Sequence, residues 1–150
     1  MLTEGHADDA AQAPTLLGQA EGMIASVTAD GAYDGEPIYQ AVAERQPDPP
    51  VAVVIPPRST AVPGPAAGTA PSQRDQHIQM IGDKGRMHWQ KAVGYGRRSH
   101  AETAMARYKH LIGPKLRARS LPAQRSEVAI AVAVLNTMIP TAKPVSVRVA

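Results

Sequence analysis

The chain has 150 residues, 43% of them hydrophobic, a formal charge of +3 and no cysteine. That is long enough for one modest domain with a core but not for two, and it excludes disulfide and thiolate–metal chemistry. With no Phe, one Trp and four Tyr against fourteen Pro and twelve Gly, the core must be mainly aliphatic and the connections long and irregular.

Residues 7–20 predict a short helix with Asp8 or Asp9 near its N-terminus, where carboxylates suit the helix dipole. Met23 to Thr28 is apolar and partly β-branched, the pattern of a strand, and ends in the polar turn Ala29-Asp30-Gly31. Residues 35–46 return to helical spacing, with Asp34 as the expected N-cap and Pro37 tolerated in the first turn; Asp48-Pro-Pro ends that helix. Val51 to Ile55 is apolar on both faces, as in a buried parallel strand. Strand, helix, strand in this order is a right-handed crossover unit. The segment from about 56 to 73 is rich in Pro, Gly, Ala and Thr and reads as a flexible insertion. Residues 74–92 are helical in part, with Gly82 and Gly85 as interruptions. A helix is expected from Ser99 to Leu111, stopping near Gly113-Pro114. A last helix over roughly 122–139 is apolar over so broad a face that it should be packed, with Pro140 and Pro144 as stops.

Charge is unevenly spread. Eleven of the sixteen basic residues fall between Lys84 and Arg125, where Glu102 is the only acid, and residues 1–50 contain Arg45 as their only Lys or Arg. Such asymmetry suits a polyanionic partner, though a solvated helix face gives the same signal. The start Met1-Leu-Thr-Glu-Gly-His is unlike a secretory signal, and the apolar run 128–139 is shorter than the roughly 20 residues of a membrane span. A soluble, cytoplasmic protein with no membrane partner is expected.

Tyr95, Arg98, Glu102 and Lys109 form the pattern Tyr-x2-Arg-x3-Glu-x6-Lys. On one ideal helix they would share an arc of about 60°, although Gly94 and Gly96 argue against a helix at the Tyr95 end. Ser99 and Glu102 also spell a capping box, in which Glu102 merely reaches back to the Ser99 amide. Asp30 follows directly on a parallel strand, at the carboxyl end where α/β sites form, yet an Asp there also makes an ordinary turn. On spacing alone both readings of each acid stand.

The segments 29–34 (ADGAYD), 51–58 (VAVVIPPR), 85–120 and 127–136 together resemble bacterial insertion-sequence transposases of the DDE class over nearly the whole chain except the insertion. The resemblance implies an α/β fold, the C-terminal part of an RNase H-like catalytic domain over 1–150, lacking the first three strands and ending in helices. It maps the second catalytic Asp to Asp30 and the catalytic Glu to Glu102, both ligands of Mg²⁺ or Mn²⁺. Carboxylates are hard oxygen ligands suited to such ions, and two ions can clamp an in-line displacement at phosphorus. Arg97, Arg98 and Lys109 would meet DNA phosphates. Tyr95 and Trp89 would pack against a sugar or an unstacked base or else serve as core or hinge.

The first Asp of such enzymes has no counterpart here, since Asp8 and Asp9 stand at a helix start. The expectation is therefore a truncated chain inactive in strand transfer alone, with tight metal binding absent. Its alternative role is a non-catalytic DNA-binding fragment, or one that inhibits full-length transposase by co-assembly. The missing strand would also leave an apolar parallel edge beside Met23–Thr28, open to self-association.

Overall fold

The computed structural model describes residues 10–141. The described residues fall into two compact units, one up to Ser99 and the other from His100 onward.

In the first unit a 3-10 turn at Ala10–Gln12 runs into α1 (Ala13–Gln19), with Pro14 in its first turn. Asp8 and Asp9 lie outside the described residues. Strand β1 (Ser26–Thr28) is followed by a 3-10 turn at Gly31–Tyr33, helix α2 (Glu36–Arg45) and strand β2 (Ala52–Val54). β1 and β2 are parallel, with Ser26 opposite Ala52 and Thr28 opposite Val54. The strand–helix–strand order read from the sequence is present, with β1 shorter than expected at its start and β2 shorter by one residue at each end. Fold class is thus mixed α/β with a small parallel sheet.

Ile38, Tyr39 and Val42 from α2 pack on Val51, Val53 and Ile55, and Leu17 of α1 and Val27 of β1 close over them. Two further helices follow the irregular segment after β2, α3 (Gln73–Lys84) and α4 (Arg86–Ala92), and α5 (Ser99–Leu111) begins at the last residue of this unit and otherwise belongs to the second. Gly82 does not interrupt α3, a tolerable cost of about 1 kcal/mol relative to alanine. Gly85 does end it. Its φ of +82° turns the chain between α3 and α4 in a conformation that side chains other than hydrogen avoid.

Helix α3 starts at a true capping box. The Ser72 hydroxyl accepts from the Asp75 amide, and the Asp75 carboxylate accepts from the Ser72 amide. Asp75 also takes the Gly64 amide at 2.7 Å, which ties the middle of the Pro/Gly segment to the helix.

Side-chain amides complete the sheet. Gln73 accepts the Val53 N–H through Oε1 and donates Nε2 to the Val51 carbonyl, both at 3.0 Å. His77 Nε2 lies 2.8 Å from the Val53 carbonyl. Residues 51 and 53 point away from β1, so α3 occupies the outer edge of β2 as a further strand would. Gln46 binds Ile24 in the same two-point manner, at 2.7 and 3.0 Å.

In the second unit, α6 (Leu121–Thr141) follows the loop after α5. Glu127 accepts the Arg117 and Ala118 amides of that loop, and these bonds hold its carboxyl below the usual range. The expectation that this helix is packed holds for one stripe of its apolar face among the described residues. Ala131 and Leu135 are buried, but Ile130, Val132, Val134 and Met138 are exposed.

Candidate functional site

Thr28 is the last residue of β1, and the Ala29 amide still reaches the Val54 carbonyl. The chain therefore leaves the sheet at Asp30, at the carboxyl end of a parallel pair. Two bonds fix that side chain. Oδ1 accepts the Ala32 amide at 3.0 Å and so caps the 3-10 turn. Oδ2 meets Arg98 Nη2 at 3.2 Å, an ion pair across 68 positions of sequence. The turn role and a role toward a distant partner thus coexist in one carboxylate.

Arg98 closes the 3-10 turn Tyr95–Arg98, which begins after Gly94 in the left-handed conformation (φ +68°). Helix α5 then starts at Ser99, whose backbone is already helical (φ −57°, ψ −21°). The Ser99 hydroxyl donates to the Gly96 carbonyl at 2.8 Å. The objection that Gly94 and Gly96 raise to one α-helix through Tyr95, Arg98, Glu102 and Lys109 therefore holds: Tyr95 and Arg98 stand on a tighter turn, and only Glu102 and Lys109 share α5. Those two are seven residues apart, hence on one helix face, and both are exposed. Glu102 occupies the first turn and Lys109 the last, each favoured there by the helix dipole. Arg97 is exposed.

Trp89 is fully buried and so is part of the core, with no face open to a base. Its indole N–H donates to His77 Nδ1 at 2.9 Å, and its ring lies 5.4 Å from that of Tyr95. Tyr95 is half-buried.

Asp34 is not the cap of α2. Gly35 holds that position without a side-chain bond, and the Asp34 carboxylate turns inward. Arg74 donates Nε to Oδ1 at 2.7 Å and Nη2 to Oδ2 at 3.1 Å, and the Arg58 amide adds a bond at 3.0 Å. Burial pushes this carboxyl upward, but the Arg74 bonds, the Arg58 amide and the two guanidinium charges outweigh it and leave it below its ordinary value. Arg58 also donates through Nε to the Gly31 carbonyl and through Nη2 to the Ala32 carbonyl. The turn carrying Asp30 is thus clamped from behind by Arg58, a residue whose role nothing local in the sequence signals. Arg86 likewise spends a guanidinium N–H on the Pro57 carbonyl.

Among the described residues no three His, Asp or Glu side chains converge on a point. Asp30 offers one carboxylate whose Oδ2 is engaged by Arg98, which falls short of a divalent-ion cage. No helix among the described residues is long and apolar enough to cross a membrane.

The model of the family described as "Transposase DDE domain" matches residues 1–137. No solved structure matches the chain.

Proposed function

The chain belongs to the family of transposase DDE domains, and from that premise we propose that it serves DNA cutting and joining through Asp30 and Glu102 as carboxylates and Arg97, Arg98 and Lys109 as phosphate contacts. The observation that carries this reading is the pairing of Arg98 with Asp30. A residue of the Tyr-x2-Arg-x3-Glu-x6-Lys signature meets the acid at the strand end, although 68 positions separate them. A fold built only for stability has no evident need to join these two half-exposed groups, whose ion pair contributes little in water.

Family membership implies interaction with DNA, and members generally use a divalent metal. Mg²⁺ or Mn²⁺ would supply Lewis acidity at the phosphorus oxygens. The donors gathered around Asp30 do not by themselves fit such an ion. In this reading Asp30 and Glu102 are a partial ligand set, to be completed by a further carboxylate in an RNase H-like arrangement. The polypeptide alone then binds DNA without transferring strands.

Arg98 has a defined part in this scheme. Its guanidinium neutralises Asp30 while no other cation does, and it is a planar donor suited to a phosphate when DNA arrives.

A non-catalytic DNA-binding role is the second reading. Exposed Arg97, Arg107, Lys109, Lys115, Arg117 and Arg119 favour it. Titration of labelled duplex DNA at several salt concentrations, with and without Mg²⁺, tests both. Binding that weakens steeply with salt is expected in each case. Strand cleavage by residues 1–150 would overturn the incomplete-set reading, and salt-insensitive or absent binding would overturn both. Glu102→Gln separates them further: a pure DNA binder tolerates the change, whereas a metal ligand set does not.

A further inference from the structure

Three aromatic side chains connect the outer edge of the sheet to the turn that carries Arg98. The Trp89 indole N–H can only donate, so the His77 Nδ1 that meets it at 2.9 Å is the acceptor nitrogen. The proton of neutral His77 is then on Nε2, which donates to the Val53 carbonyl at 2.8 Å. This fixes both tautomer and ring orientation. His77 and Trp89 are both buried, and their rings meet edge to face at 5.5 Å and 82°. Trp89 in turn lies against Tyr95 at 5.4 Å, and Tyr95 opens the four-residue turn that ends in Arg98. Every link lies within the first unit.

We propose that His77 and Trp89 are positioning residues for Arg98: they tie helix α4 to the backbone of β2 and, through the Trp89–Tyr95 contact, set the turn from which Arg98 reaches Asp30. The functional meaning of that pair rests on the reading of Asp30 and Arg98 given above, but the positioning itself does not. Sheet and turn are the two parts whose relative placement brings Arg98 to the strand end. Asp30 is attached to the sheet by β1, and Arg98 to the turn. The Val53–His77–Trp89–Tyr95 series joins the same two parts by a second route. A short 3-10 turn that follows Gly94 and contains Gly96 has little rigidity of its own, so its set must come from what it packs on.

The test uses the full ¹⁵N-labelled chain and the Arg98 Nε–H resonance, assigned by its loss in Arg98→Ala. Asp30→Asn should shift that resonance in the wild-type background, because the ion pair is broken. In His77→Leu the pair should already be lost, and Asp30→Asn should then leave the resonance where it is. His77→Gln, which keeps one acceptor and one donor, should restore the shift. Should His77→Leu fail to fold by circular dichroism, Trp89→Phe decides, since it keeps an aromatic ring beside Tyr95 while losing the indole N–H together with the five-membered ring that carries it. An undiminished Asp30→Asn shift in His77→Leu or Trp89→Phe overturns the proposal, as does its absence in the wild type. DNA titration of Arg98→Ala is the separate arm: unchanged affinity and salt dependence there would remove the phosphate role of Arg98 while leaving the positioning result standing.

Discussion

Arg74 grips Asp34 with both ends of its guanidinium fork, across forty residues of sequence and onto a carboxylate with no exposed side-chain surface. The pair fastens the start of α3 to the turn that follows Asp30. Truncating Arg74 to Ala leaves the Asp34 charge buried with the Arg58 amide as its remaining partner. A loss of about 3 kcal/mol is expected, as for other broken buried pairs, read as a lowered urea midpoint.

Asp34, Asp75 and Glu127 all titrate below their ordinary values of 3.8, 3.8 and 4.5. The folded state therefore holds these protons less well than the unfolded chain. Their stabilisation is present above the unfolded values and is lost as pH falls through the lower folded ones. Urea midpoints measured downward from pH 7 should hold to about pH 4.5 and then drop. The drop should be shallower in Arg74→Ala, in which Asp34 has lost its largest stabilising partner.

Tyr39 works at the other end of the scale. Its hydroxyl is buried without a hydrogen-bond partner among the described residues. Burial first, and the Asp34 charge second, push it from 10.0 up to about 12. The neutral phenol is thus favoured in the fold: the contribution is intact below pH 10 and is lost as pH rises through about 12. Tyr39→Phe removes an unpaired polar atom and should be neutral or stabilising by about 1 kcal/mol at pH 7. It should also extend the alkaline limit of a pH-denaturation curve.

Gly85 sits at φ +82°, ψ +159°, a region nearly closed to residues with a Cβ. Nothing lies within 4 Å of where that atom would go, so the cost of Gly85→Ala is backbone strain alone. A loss of about 1–3 kcal/mol is expected, against a gain of up to about 1 kcal/mol for Gly82→Ala inside α3. The contrast between the two melting temperatures is the check.

For the nucleic-acid role, Arg97→Ala, Arg98→Ala and Lys109→Ala should each reduce the slope of log affinity against log salt by about 1, without changing sequence preference. Replacing Arg86, whose guanidinium is committed to the Pro57 carbonyl, should leave the slope unchanged.

What the sequence made legible was local. The β1–α2–β2 unit and the helix Ser99–Leu111 follow from apolar periodicity and nearby turn residues, which act within a few positions. Ser72-x-x-Asp75 was equally readable as a cap, but lay in a stretch dominated by Pro and Gly. Asp34 reads as a cap because an acid just before a helix usually is one, and its actual partner lies forty residues away. Asp30 is marked by its place after a strand, yet Arg58 and Arg98 behind and before it are set by tertiary packing. Gln46 and Gln73 carry no signature, since an amide that stands in for a peptide group is chosen by position alone. Helix α6 shows the limit from the other side: apolar periodicity reports that a face can be buried, not that it is.

The two borders of the small sheet are unlike. Gln73 and His77 fill the outer border of β2, whereas residues 26 and 28 of β1 face outward with no neighbouring strand among the described residues. A sheet open on one side only can accept one partner strand, and it offers nothing for a third chain to continue. Edge-to-edge growth through the described sheet would therefore stop at a pair, because Gln73 and His77 already occupy the border from which a ladder of copies would continue.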